Sequence, residues 1–134
     1  MMNEPLSGIM STNLITVSPG DKLSVVKDLF RGKRIHHIPV VQNGKLVGLI
    51  TTADLLWLNR KHEEYDSILV SEIMTTKLAT LEPTDKIGSA AELFLLNHFH
   101  AIPVVEDGTL IGIVTSFDVL KYQFKKAYPT QLVD

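Results

Sequence analysis

Apolar residues recur at helical spacing in two separate stretches of the chain. The positions that follow this spacing are Leu23, Val26, Leu29 and Phe30 in the first stretch, and Ile87, Ala90, Leu93 and Phe94 in the second. Spacings of three and four place side chains on one helical face. Each stretch therefore predicts a helix with one buried apolar stripe. Asp21 and Asp85, which follow Pro19 and Pro83, are candidate N-caps of these helices.

The pattern after each helix is typical of a β-hairpin. Residues 36–41 are rich in β-formers, Asn43-Gly44 favours a type I′ turn, and residues 46–51 form a second β-rich run. The corresponding turn later in the chain is Glu106-Asp107-Gly108. Further helices are predicted to begin after Thr51 and Thr115, and brief strands are predicted at 14–17 and 78–81. Ser7 and Ser71 are each predicted to cap a short helical turn. The predicted order is strand, helix, strand, strand, helix, and it occurs twice.

The two halves of the chain are copies of one unit. Ile9-Met10 reappears as Ile73-Met74, the Ile-Pro-Val-Val run at 38–41 reappears at 102–105, and Asp54 reappears as Asp118. Each pair is separated by 64 positions, so the copies align without a gap. An internal repeat determines the overall architecture, so it is interpreted before any single residue. Two similar lobes are expected, with related sites in each.

Composition narrows the classes of protein to consider. The chain has 134 residues, is 45% hydrophobic and carries a net charge of −2, which predicts a globular protein whose halves share a core. A slight acidic excess argues against nucleic-acid binding, which needs clustered positive charge. The chain has no cysteine, which excludes disulfides and thiolate metal sites. Because neither a signal peptide nor a long apolar run is evident, we expect a cytoplasmic protein without a membrane segment.

The dispersed motifs resemble those of the cystathionine-β-synthase (CBS) domain family. They are an Ile-Met-Ser/Thr opening, a Pro-x-Asp helix start, an Ile-Pro-Val-Val strand, an Asn/Asp-Gly turn and a Gly-x-Ile/Val-Thr-x-x-Asp ending. Two tandem copies resemble a CBS pair, or Bateman module. The resemblance implies an α/β (α+β) fold of two pseudo-twofold related β-α-β-β-α repeats packed through their sheets. The expected boundaries are repeat 1 at 6–57, a linker at 58–69, repeat 2 at 70–121 and a tail at 122–134.

The resemblance also implies two ligand clefts between the repeats, each of which binds an adenosine-containing molecule such as AMP, ADP, ATP or S-adenosylmethionine. Cleft 1 is expected to contain Ser11, Leu14, Ile15, His36, His37, Ile38, Pro39, Thr115 and Asp118. Cleft 2 is expected to contain Thr51, Asp54, Thr75, Leu78, Ala79, His100, Ala101, Ile102 and Pro103. The chemistry is reasonable, since a carboxylate can accept hydrogen bonds from both ribose hydroxyls. No cofactor is expected to be required.

Two features leave alternatives open at these sites. A Thr-x-x-Asp sequence before an apolar run is also a variant of the capping box that only starts a helix. Many nucleotide-binding members of the family carry an arginine two residues before the proline, where this chain has His37 and Ala101. Charge-assisted contact with phosphate is therefore expected to be weaker, and cleft 1, near Lys33 and Arg34, is expected to bind phosphate more tightly than cleft 2.

Metal binding and catalysis have less support from the sequence. His36, His98 and His100 are candidate imidazole ligands, but no carboxylate or cysteine accompanies them at ligand spacing. No nucleophile elbow, P-loop or dinucleotide fingerprint is present, so we do not expect an enzyme. Trp57 and Tyr65 are expected to be packing residues.

The leading hypothesis is therefore a regulatory sensor that binds an adenosyl ligand and signals to a separate, unidentified protein by conformational change. The family resemblance implies a disc-like homodimer. The alternative is a non-catalytic interaction or dimerisation module whose nucleotide clefts are vestigial.

Overall fold

The computed structural model describes residues 2–97 and 99–129, which form a mixed α+β fold, as predicted. The helices are α1 (Leu23–Gly32), α2 (Thr52–Leu56), α3 (Val70–Ile73), α4 (Ile87–Asn97) and α5 (Ser116–Ala127). The strands are β1 (His37–Gln42), β2 (Lys45–Thr51), β3 (Ala101–Glu106) and β4 (Thr109–Thr115). Short 3-10 helices occur at Leu6–Gly8 and His62–Ser67.

The chain divides into two compact units that do not follow the order of the sequence. The C-unit consists of the described residues of 1–14, 79–107 and 111–134. The N-unit consists of Ile15–Leu78 and Gly108–Leu110. The opening segment of each sequence repeat therefore packs with residues from the other repeat. The repeat and linker boundaries expected from the sequence remain a prediction.

The core of the C-unit includes a residue from the start of the chain. Its buried members are Leu6, Ile87, Ala90, Phe94, Ile102, Val104, Val114 and Val119. The Leu6 side chain is fully buried, and its backbone N–H donates to the Asp85 carbonyl at 2.8 Å. The N–H of Ile87 donates to the Glu4 carbonyl at 2.9 Å. These bonds pair the N-terminal segment with the residues that lead into α4.

The N-unit repeats this arrangement with residues 64 positions away. Its buried core contains Val17, Leu23, Val26, Ile38, Val40, Ile50, Tyr65 and Val70. Val70 corresponds to Leu6 and is also fully buried, and its N–H donates to the Asp21 carbonyl at 2.9 Å. The predicted apolar stripes of α1 and α4 are confirmed, because their members lie in or against these two cores.

The hairpin turns have the backbone geometry that the sequence predicts. Asn43 and Gly44 have φ angles of 54° and 79°, and Asp107 and Gly108 have φ angles of 53° and 79°. Positive φ at both central residues is the requirement of a type I′ turn. Strand β1 pairs antiparallel with β2, with a register irregularity between Val40 and Val41. Strands β3 and β4 are likewise hydrogen-bonded neighbours.

The brief strands predicted at 14–17 and 78–81 are reduced to single bridges. Val17 forms one parallel bridge with Val40, and Leu81 forms one with Val104. Proline stands two residues after each bridge, at Pro19 and Pro83. Because proline has no N–H and fixes φ, it ends each extended segment before a ladder can develop.

The predicted N-caps of the first helix in each repeat are wrong. Helix α1 begins after Lys22, without a side-chain cap, and the Asp21 carboxylate instead accepts from the Ser18 N–H at 2.8 Å. Asp85 accepts from the Glu82 N–H at 2.7 Å. Both carboxylates close the turn before the helix, as aspartate commonly does. Ser7 and Ser71 lie inside their short helices rather than capping them.

The segment expected to be a linker contains ordered structure. Residues His62–Ser67 form a 3-10 helix, and Tyr65 within it is buried in the N-unit core. The Ser24 hydroxyl donates to the Asp66 carboxylate at 2.5 Å, which attaches this helix to α1. Tyr65 is a packing residue, as expected, whereas the expectation for Trp57 is wrong because 86% of its surface is exposed.

Candidate functional site

Helix α5 begins with a reciprocal capping box. The N–H of Asp118 donates to the Thr115 hydroxyl at 3.1 Å, and the N–H of Thr115 donates to Oδ2 of Asp118 at 2.8 Å. Thr115 is in an extended conformation, so it ends β4 and caps α5 in one step. The carboxylate is half-buried at the start of the helix. Thr115 and Asp118 therefore have a structural role that is independent of any ligand.

A reciprocal capping box also begins α2 in the N-unit. The N–H of Thr51 donates to Oδ2 of Asp54 at 2.8 Å, and the N–H of Asp54 donates to the Thr51 hydroxyl at 3.3 Å. In both boxes a single backbone N–H occupies Oδ2. An ionised carboxylate offers about four acceptor positions, so capping leaves it able to accept from further donors.

The predicted histidine positions lie beside these helix starts. The carbonyl of His36 accepts from the Thr52 N–H at 3.1 Å, and the carbonyl of His100 accepts from the Ser116 N–H at 3.1 Å. Each histidine is thereby held next to the Thr-x-x-Asp box of its own repeat. Both side chains are exposed.

The residue after each Ile-Met pair is held against the strand that leads to the box. Ser11 and Ile113 exchange two backbone hydrogen bonds, of 2.9 and 3.0 Å, two residues before Thr115. Thr75 and Leu49 make the equivalent pair of bonds, of 2.9 and 3.0 Å, in the N-unit. Both predicted polar residues are therefore placed near a capping box of the same unit.

Glycine in β4 permits this close approach. A Cβ atom at Gly112 would lie 2.6 Å from the Met10 Sδ and 3.2 Å from the Ser11 carbonyl oxygen. A Cβ at Gly48 would lie 2.6 Å from the Met74 Sδ. Any side chain at Gly112 would collide with the Met10 side chain and press on the Ser11 carbonyl, so glycine lets the segment of Met10 and Ser11 lie against β4.

The residues of each predicted cleft are distributed over both units. The residues predicted for cleft 1 lie partly in the C-unit, at Ser11, Leu14, Thr115 and Asp118, and partly in the N-unit, at Ile15 and 36–39. The residues predicted for cleft 2 lie partly in the N-unit, at Thr51, Asp54, Thr75 and Leu78, and partly in the C-unit, at Ala79 and 100–103. The side chains of Ile38 and Ile102 are fully buried in the two cores. The assignment of these residues to two ligand sites remains a prediction.

The C-unit also contains a pocket of about 530 Å³ that sequence reasoning did not anticipate. It lies along α5, and its lining residues are Glu4, Pro5, Gly8, Ile9, Ile87, Asp118, Lys121, Tyr122, Lys125 and Lys126. The volume is within the range of small-molecule sites. A signal in the sequence was the positive charge at the end of α5, where the lysines recur at helical spacing.

One wall of this pocket is held by a cluster around Glu4. Its carboxylate accepts from the Tyr122 hydroxyl and forms a 2.9 Å ion pair with Lys126. The hydrogen bonds from Tyr122 and then Lys126 lower the pKa of Glu4. The same carboxylate raises the pKa of Tyr122 and of Lys126. The cluster therefore keeps its charge distribution at neutral pH.

Residues 2–97 and 99–129 contain neither a group of candidate metal ligands nor a helix that could cross a membrane. Within these ranges, no three His, Asp or Glu side chains are grouped as metal ligands would be, and His98 lies outside them. No helix among the described residues is both long and apolar enough to cross a membrane.

The amino-acid sequence matches the model of the CBS domain family twice, at residues 6–59 and 70–125. One relative, the CBS domain-containing protein MJ0729 of Methanocaldococcus jannaschii, is 34% identical over 91% of this chain and 97% of its own length. The uncharacterised protein MJ1225 of the same organism is 31% identical over 90% of this chain. The chain spans about half of MJ1225, 47% of its length.

Solved structures share the fold. The CBS-pair protein CBSX2 of Arabidopsis thaliana, crystallised in complex with AMP, superposes with a TM-score of 0.84, at 26% identity over 92% of this chain and 98% of that one. The crystal structure of MJ1225, described as a proposed archaeal homologue of γ-AMPK, gives a TM-score of 0.81, at 30% identity over 90% of this chain and 48% of that one. With two family matches that together cover most of its length, the chain belongs to the CBS domain family and contains the two repeats of a CBS pair.

Proposed function

We propose that this CBS pair is a regulatory module that binds an adenosine-containing molecule, AMP, ADP, ATP or S-adenosylmethionine, at its Thr-x-x-Asp helix starts. The observation that carries the proposal is the placement of Asp54 and Asp118, each with Oδ2 held by one backbone N–H and with capacity to accept more. The two hydroxyls of a ribose are suitable donors. A carboxylate so oriented discriminates against sugars that lack them.

Similarity to CBSX2, crystallised with AMP, supports an adenine nucleotide as the ligand class. The module is proposed to be non-catalytic and to act in the cytoplasm on a separate protein. Signalling requires that the ligand bind two conformations with different affinity, because equal affinity shifts no equilibrium.

Calorimetric titration with AMP, ADP, ATP, S-adenosylmethionine and NAD tests the proposal. We expect saturable binding of at least one ligand, with affinity lost in either Asp54→Ala or Asp118→Ala. The variant that loses binding identifies the working site. Absence of binding to all five ligands would refute the sensor and favour a module whose nucleotide sites are vestigial.

The apolar surface of the C-unit supports a homodimer. Phe117, Leu120 and Phe124 recur at helical spacing along α5, Tyr128 directly follows the helix, and between 41% and 67% of each is exposed. Leu95 and Leu96 at the end of α4 are 79% and 70% exposed. Exposed apolar side chains are costly in water, and a second copy would cover them with the same residues. This surface also favours the alternative function, an interaction module without a ligand.

Sedimentation analysis of Phe117→Glu/Leu120→Glu tests the dimer. The wild type is expected to be dimeric and the double variant monomeric, because like charges would be buried without partners. Ala53→Glu/Leu56→Glu is the matched control, since these two exposed residues lie 64 positions before Phe117 and Leu120. A monomeric wild type, or equal dissociation by the control, would contradict this interface.

A further inference from the structure

The tip of the first hairpin contains an asparagine directly followed by a glycine. Asn43 has a φ of 54°, Gly44 has a φ of 79°, and both residues are exposed. No heavy atom outside Gly44 and its two chain neighbours lies within 4 Å of the position that a Cβ of Gly44 would take. The side-chain amide of Asn43 therefore adjoins a peptide group that water reaches and that no side chain of the next residue covers.

We propose that Asn43 is a site of spontaneous deamidation. The Gly44 nitrogen bonds to the side-chain amide carbon of Asn43, and the amide nitrogen leaves as ammonia with the proton of the Gly44 N–H. Water then opens the cyclic imide at either carbonyl, so that its hydroxyl completes a carboxylic acid and its hydrogen returns to the Gly44 nitrogen. Opening at the side-chain carbonyl gives aspartate, and opening at the main-chain carbonyl gives isoaspartate. In sum, water is consumed and ammonia is released.

A second asparagine in the same backbone conformation shows why the following glycine matters. Asn59 is also exposed and has a φ of 52°, but it is followed by Arg60. The Cβ and side chain of a residue after asparagine crowd the attacking nitrogen, whereas glycine has neither. Among the asparagines of the sequence, only Asn43 precedes a glycine. The reaction is therefore expected at Asn43 and not at Asn59.

The reaction requires the tip of the turn to open. Rotation about the Cα–C bond of Asn43 must bring the Gly44 nitrogen up to the side-chain amide carbon. The Gly44 carbonyl accepts from the Leu110 N–H at 3.3 Å, just beyond the usual range for such bonds, so this contact restrains the rotation weakly. Exposed loops open locally at a much lower free energy than the core does. The reactive arrangement is therefore accessible without unfolding of the N-unit core.

The second repeat shows that the aspartate product fits the turn. The position equivalent to Asn43 is Asp107, which precedes Gly108, and these two residues have φ angles of 53° and 79°. Deamidation to aspartate therefore gives the first turn the sequence of the second, with the same backbone geometry and one more negative charge. Isoaspartate instead lengthens the main chain between Gln42 and Lys45, which are paired across the hairpin. We expect only this second product to distort the turn.

Ageing of the full chain in mildly alkaline buffer, followed by peptide mass spectrometry, tests the proposal. We expect the mass gain of amide hydrolysis to accumulate at Asn43 while Asn59 stays intact. The gain is expected to be slower in mildly acidic buffer, because the attacking nitrogen must lose its proton. Isoaspartyl methyltransferase is expected to label aged wild type more strongly than Asn43→Asp aged in parallel.

Two variants examine the contribution of the turn. Asp107→Asn creates a second Asn-Gly turn and is expected to deamidate at that position as well, whereas Asn43→Asp is expected to keep the melting temperature of fresh wild type. The site is refuted if Asn43 stays intact in aged wild type or if Asn59 is converted equally fast. An intact asparagine in aged Asp107→Asn would overturn the role of the turn, and a marked fall in the melting temperature of Asn43→Asp would overturn its tolerance of aspartate.

Discussion

Replacing Leu6 by alanine is expected to lower the free energy of unfolding by about 2–5 kcal/mol, the range observed when large aliphatic side chains are removed from packed cores. Leu6 is fully buried and lies among Ile87, Ile102 and Val114 in the C-unit core. The substitution leaves a cavity that the surrounding strands and helices cannot close. Urea denaturation followed by circular dichroism measures the change.

Leu56→Ala provides the control for this prediction. Leu56 has the same side chain but is 83% exposed, so its removal is expected to change stability by no more than about 0.5 kcal/mol. If Leu6→Ala were as mild as Leu56→Ala, the N-terminal segment would not be part of the C-unit core.

Asp118→Asn is expected to weaken binding of the adenosyl ligand by about 10- to 100-fold, since each hydrogen bond to a charged group contributes about 1.5–3 kcal/mol. The same substitution is expected to reduce the stability of the protein little. The amide oxygen of asparagine can still accept from the Thr115 N–H, so the capping box is retained. The amide cannot accept from two ribose hydroxyls as a carboxylate does.

Asp118→Ala is expected to lose the same affinity and, in addition, about 1 kcal/mol of stability, because the bond from the Thr115 N–H is lost. Comparison of the two variants by calorimetric titration with AMP and by urea denaturation separates ligand binding from helix capping. If Asp118→Asn bound AMP as tightly as the wild type, the carboxylate would be a cap only. The same two substitutions at Asp54 test ligand binding and helix capping at the equivalent position of the N-unit.

Local patterns predicted most of the secondary structure. The stripe from Leu23 to Phe30, the Asn43-Gly44 turn and the helix starts after Thr51 and Thr115 each depend on residues close in sequence. Short-range geometry determines such features, so the sequence is sufficient to find them.

Features that depend on competition between partners were not predictable in the same way. Asp21 could cap α1 or close the preceding turn, and both arrangements satisfy one backbone N–H. The predicted strands around Val17 and Leu81 shorten to single bridges because their pairing depends on partners distant in sequence, Val40 and Val104. The 3-10 helix that buries Tyr65 lies in a polar segment, which gives no apolar periodicity from which to predict it.

The Thr-x-x-Asp residues were found from the sequence and their role in ligand binding stays a prediction, whereas the pocket along α5 was not found from the sequence. Thr115 and Asp118 were identified from their spacing, and their mutual hydrogen bonds have the form of a capping box. The pocket along α5 was missed because Glu4 and Lys126 are more than one hundred positions apart in sequence. Only the folded C-unit brings them together at 2.9 Å.

The C-unit core combines Leu6 with residues between Ile87 and Val119, and this affects how the core forms during synthesis on the ribosome. Leu6 emerges first, yet its partners Ile87, Ile102 and Val114 emerge some eighty to one hundred residues later. Most of the N-unit, by contrast, is available once Ile73 has emerged. Contacts between such distant residues form slowly, and exposed apolar segments favour aggregation in the interval. We therefore expect that the nascent chain acquires its N-unit core first and that its opening segment waits, unpaired and accessible to chaperones, until translation has passed Val119.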